Sequence, residues 1–164
     1  AAEAISKVDP LDGHNARATI YSRKEDHDLA EKEYIEMAKL NDRYLITLAT
    51  FYQGRQEYDK AFTTFEESWA KIEENYAALY QIGKTSALSG ERTDRGIESL
   101  TLYMQEGRAQ NLPSHAAAKS RLGMIYEKMG QTTKAKSLYQ EALKNDPEMS
   151  IASDGLKRIR KKSD

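Results

Sequence analysis

The chain is 164 residues long, with 25 Lys and Arg against 26 Asp and Glu and a formal net charge of −1. It has no cysteine and no apolar run long enough to cross a bilayer, which excludes thiol catalysis, disulfides, thiolate zinc sites and a transmembrane helix. The even charge balance argues against a nucleic-acid protein, whose contact face needs concentrated basic charge. Hydrophobic residues at 39%, charged residues at 31% and three prolines suit a helical protein with a polar exterior.

Glu3, Ala4, Ile5, Ser6, Lys7, Val8, Asp9 and Pro10 read almost like Glu141 to Pro147, the end of a helix stopped by proline. This predicts an array that starts mid-repeat. Ala1 is preceded by no start methionine, so the chain is expected to be a processed or truncated piece whose first apolar face is open to a second copy. Next come Ala18, Tyr21, Ala30, Tyr34 and Met37, in the same order as Ala49, Tyr52, Ala61, Phe65 and Ser68. Leu45, Leu48, Ala49 and Tyr52 recur 34 residues on as Leu79, Ile82, Gly83 and Ser86. The next unit is longer, and its excess falls in Glu106 to Pro113, where a loop with Asn111 and Pro113 is expected before a helix capped by Ser114 or a neighbour.

The last full unit is the most regular. Leu122, Gly123 and Tyr126 fall one helical turn apart on a stripe that must be buried, and Gly123 lets a second helix approach. Gly130 ends that helix, a second is predicted from about Thr132 to Asn145, and Pro147 stops it. Isolated Gly54 and Gly90 are read as turn residues of the earlier units. The closing segment carries Ile151, Leu156 and Ile159 on one side, as a capping helix would, with Lys157 to Lys162 as a polar side complementing the helix dipole. The predicted architecture is all-α: a superhelical solenoid of antiparallel helical hairpins in one domain. Its parts are a partial unit at 1–10, four full repeats at 11–41, 42–75, 76–115 and 116–149, and a capping helix at 150–162.

In period and residue pattern the stretch from Leu11 to about Pro147 resembles the tetratricopeptide repeat family, most closely in its last unit. The segments LYQIGKTSALSG and PSHAAAKSRLGMIYEKMG are also similar to bacterial exported tetratricopeptide proteins of unassigned role, which favours a bacterial periplasm over the cytoplasm. The resemblance implies a concave groove, lined by first helices, that receives a peptide or a partner helix, with no shared chemistry. The groove residues it implies here are Asn15, Arg43, Thr47, Thr50, Gln53, Tyr80, Gln81, Lys84, Ser120, Arg121 and Met124. A subclass binds chaperone C-terminal carboxylates through a clamp of lysines, asparagines and an arginine. The corresponding slots hold Ile46, Thr50, Gln81, Ala117 and Arg121, so only the arginine survives and that reading is rejected.

No catalytic constellation accompanies this pattern. His14, His27 and His115 are far apart, so no metal site is expected. The pairs Glu66–Glu67 and Glu73–Glu74 lie on charged stretches with no apolar pocket to raise a carboxyl pKa. The expected function is a non-enzymatic, cofactor-free protein–protein interaction scaffold whose partner is an unidentified protein or peptide. The alternatives are the repeat appendage of a longer enzyme and a self-assembly module that dimerises through the N-terminal face.

Overall fold

The computed structural model describes residues 9–106 and 111–163, the side chains of 162 and 163 excepted. The expected helix tail over Glu3 to Val8, with the open N-terminal face built on it, lies outside the described residues, as does the centre of the expected Glu106–Pro113 loop. Among the described residues there are nine α-helices, one short 3-10 turn and no strand, the all-α helical repeat that the sequence predicts. The chain groups into two compact units, Ala1–Glu73 and Glu74–Asp164.

In the first unit, α1 (Pro10–Arg23) pairs with α2 (His27–Leu40), and a 3-10 turn (Asp42–Tyr44) leads into α3 (Leu45–Gly54), which pairs with α4 (Tyr58–Lys71). Pro10 is the first residue of α1: Asp9 caps the helix by accepting the Leu11 N–H, and proline suits a first turn whose N–H groups have no partner anyway. Ala18, Ala30, Ala49, Ala61, Phe62 and Phe65 are fully buried, so small residues set the helix spacing and aromatics fill it. Both hairpin turns close the same way. Glu25 and Gln56 adopt positive φ, and the next N–H reaches back to Tyr21 O and Tyr52 O, each at 3.0 Å. The left-handed position in the second turn thus belongs to Gln56, while Gly54, expected to serve the turn, is the last residue of α3.

His14 and Arg17 on α1 both reach Glu33 on α2, at 2.6 and 2.9 Å. Burial pushes the Glu33 carboxyl up, but the bonds from Arg17 and His14 win and hold it below the usual carboxylate range. His14 is therefore one half of a hairpin tie.

The second unit contains α5 (Tyr76–Ser89), α6 (Thr93–Glu106), α7 (His115–Lys128), α8 (Thr132–Asn145) and α9 (Ser150–Ser163). Here α7 packs on α5, α6, α8 and α9. Gly90 and Gly130 take positive φ after α5 and α7, as expected of helix-ending glycines, and Ser114 caps α7 by accepting the Ala117 N–H at 3.1 Å. Ser86, which stands where the neighbouring units have Tyr52 and Tyr126, is explained by Gly96. A Cβ on Gly96 would lie 2.4 Å from Ser86 Cβ, so the crossing leaves no room for a ring. The capping helix is present with its buried line shifted: Ala152, Gly155 and Ile159 face inward, while Ile151 and Leu156 are half-buried.

Buried phenols give the fold an alkaline limit. The Tyr52 hydroxyl is pushed up to about 12 by burial and by its bond to Glu31, and that of Tyr103 to about 12 by burial beside Tyr80. In the unfolded chain both ionise near their ordinary value of 10.0. Between those values the folded state keeps protons that the unfolded state has lost, so stability falls as pH rises through that window. Urea midpoints at about pH 9 and about pH 11 should show the loss. A Tyr52→Phe, Tyr103→Phe variant should show a smaller one.

Candidate functional site

In the first unit the expected groove residues do not form one wall. Asn15 is exposed on α1; Thr47 and Thr50 are exposed a turn apart on α3, with Arg43 exposed in the preceding 3-10 turn. α1 has no close backbone approach to α3, so Asn15 stands apart from the other three. Gln53 is 6% exposed and belongs to the packed interior instead of an open wall. Thr50 spends its hydroxyl proton on Ile46 O at 2.7 Å, leaving only acceptor capacity outward.

The second unit does bring first helices together. α5 packs on α7 and α7 on α9, so Tyr80, Gln81 and Lys84 lie on a helix adjoining the one that carries Ser120, Arg121 and Met124. Two of these six belong to the core. Ser120 is fully buried and bonds Ala116 O at 2.8 Å, because this position of α7 faces packed helices. Tyr80 is 7% exposed with its ring 5.4 Å from that of Tyr103, so it packs between helices and is not a free aromatic anchor.

Gln81, Lys84, Arg121 and Met124 are half-buried. Burial and the charge of Arg121 hold the Lys84 ammonium below its ordinary lysine value, which sets the two cations in each other's field. Arg121 Nη1 points to Met124 Sδ at 3.4 Å, a weak acceptor, and Arg121 Nε is buried with no hydrogen-bond partner. Gln81 Oε1 is likewise buried and unpaired. Beside Arg121 opens a cavity of about 400 Å³ between α7 and α9, lined by Arg121, Met124, Glu127, Lys128, Ile151, Asp154 and Arg158.

Both carboxylates in that cavity are already committed. Glu127 accepts from Arg158 Nε and Nη2 at 3.1 and 2.9 Å and from the Tyr139 hydroxyl at 2.8 Å, while Asp154 pairs with Lys157. Arg158, read from sequence as one charge in a solvated basic run, is thus a bidentate tie from α9 to α7. Sequence reasoning missed Glu127, Ile151, Asp154 and Arg158 as site residues. The predicted capping helix was the available signal, since a helix laid over the last hairpin must turn one flank toward the face of α7.

Residues 116–149, which span α7 and α8, match the family model described as Tetratricopeptide repeat. An uncharacterized protein, ycf37, of Guillardia theta is 28% identical over 130 residues, covering 76% of this chain and 70% of its own length. The crystal structure of MamA superposes with a TM-score of 0.70 at 18% identity, over 89% of this chain and 84% of that one. The P58(IPK) TPR domain superposes with a TM-score of 0.57 at 18% identity, over 98% of this chain and 49% of that one. At such identities the two structures speak for the fold alone. Residues 116–149 thus match one tetratricopeptide repeat, and the helical-repeat fold is that of tetratricopeptide-repeat structures, a class that generally mediates protein–protein interactions and is typically non-catalytic.

Proposed function

We propose that the chain is a non-catalytic scaffold that holds a peptide or protein segment, and that in the second unit the segment lies along the open face of α5 and α7. The observation that carries this reading is the half-buried pair Lys84 and Arg121, two cations in one another's field with no carboxylate partner among the described residues. A fold gains nothing from holding such a pair for itself. A guest that neutralises it would gain charge-assisted bonds in a partly desolvated place. Gln81 and Met124 flank the pair and supply amide and thioether contacts, and the exposed Asn15, Arg43, Thr47 and Thr50 are the polar groups that the first unit offers a partner. The repeat frame is proposed as 11–41, 42–75, 76–115 and 116–149. Residence in a bacterial envelope compartment rests on the two stretches quoted above, and recovery of the protein only in the cytoplasmic fraction would end that part.

The test is a cross-linking pull-down from the source cell with wild type and a Lys84→Glu, Arg121→Glu variant, after circular dichroism has shown both to be helical. The variant is expected to lose at least one partner held by the wild type. Identical partner sets would overturn the assignment of this face. Tyr80 is left untouched because its loss would disturb the packing against Tyr103.

A further inference from the structure

We propose that the α7–α9 cavity, together with the Lys84–Arg121 pair, takes an acidic side chain followed by a large apolar one from an extended internal segment of a partner protein. This rests on the scaffold reading and specifies its ligand. The cavity offers two chemistries side by side. Met124, Ile151 and the aliphatic stems of Arg121 and Lys128 give it apolar wall, and about 400 Å³ is room for one or two side chains rather than a folded domain. Around it stand Arg121, Lys128 and Arg158, against Glu127 and Asp154. Arg158 and Lys157 neutralise those two carboxylates, so the cationic surplus sits on Arg121, Lys128 and neighbouring Lys84, none of which has an ion-pair partner among the described residues.

The guest's charge follows from electrostatic complementarity. A second cation would meet like charge at Lys84 and Arg121, and a neutral polar group would offset less of that charge than a carboxylate does. Arg121 presents a planar fork that suits a carboxylate, and it lines the cavity. A nucleic acid is a poor fit, because a protein of net charge −1 lacks the run of phosphate contacts that sustains such binding. The carboxylate at a partner's C-terminus is disfavoured as well: of the carboxylate-clamp positions in this unit, Gln81 and Ala117 carry no charge and only Arg121 is kept.

The experiment selects randomised heptapeptides, displayed with no free C-terminus, on the full-length protein, then measures the enriched peptides against Arg121→Gln and Ile151→Ser variants. Enriched sequences should pair Asp or Glu with a neighbouring Leu, Ile, Met or Phe. Arg121→Gln should weaken them about tenfold or more, the value of a charge-assisted pair. Ile151→Ser should weaken them less and relax the apolar preference. Urea midpoints of Arg121→Gln should equal or exceed that of wild type, since one of two repelling cations is gone; a merely structural arginine would lower them. Enrichment without acidic residues, or equal binding to Arg121→Gln, overturns this inference and leaves the scaffold reading standing. Enrichment only when the library is rebuilt with free C-termini also overturns it. No enrichment in either format overturns both.

Discussion

Replacing Tyr139 by alanine is expected to lower the unfolding free energy by about 3–5 kcal/mol, the range for removing a fully buried large side chain. The ring is 0% exposed and lies between two glycines. A Cβ on Gly123 would come 2.7 Å from Tyr139 Cε1, and one on Gly155 would come 2.3 Å from Cε2. One aromatic therefore fills the space that α7 and α9 leave by having no side chain there, and neither backbone can collapse into the void without moving a whole helix. The hydroxyl is a separate matter. It donates to Glu127 at 2.8 Å, and Glu127 is also held by Arg158, so Tyr139→Phe removes one bond from a carboxylate that keeps its cation and should cost only about 1 kcal/mol. Denaturant titration of both variants checks the split. Equal losses would mean that the hydroxyl network, and not the ring, holds α9 in place.

Gly83→Ala is expected to destabilise by about 1–3 kcal/mol although alanine is the better helix former. An added Cβ would sit 2.2 Å from Leu100 Cγ, the branch point of a fully buried side chain, so relief requires α5 and α6 to part. Gly54→Ala is the opposite case: nothing lies within 4 Å, φ is not left-handed, and the change should stabilise by about 0.5–1 kcal/mol. The double variant Gly83→Ala, Leu100→Ala should cost less than the two single losses added together, because the shorter side chain removes the clash. Additive losses would show that Gly83 is needed for some reason other than the approach of Leu100.

Much of this was legible along the sequence. The helix Thr132–Asn145 was placed at both ends by Gly130 and Pro147, and the cap expected at Ser114 or a neighbour is Ser114. Gly123 could be read as a close approach from its spacing alone, since a small residue in a buried stripe has no other purpose there. The site was less legible. Ser120 and Gln53 sit at sequence positions expected to face a groove, yet how far a helix rotates about its axis depends on its neighbours, and both are buried. Tyr80 could be read either as packing or as a binding residue, and Tyr103 on α6 claims its ring.

Local sequence determined where helices start, stop and carry an apolar stripe, because capping, turn chemistry and periodicity act over a few residues and need no distant partner. Tertiary structure alone decided which charges are spent and which are left over. Glu127 is consumed by Arg158, 31 residues away, while Lys84 and Arg121 lie in one another's field with no acid paired to either among the described residues. Electrostatic pairing depends on distance in space and on how much water is excluded, and neither is written in the order of the residues.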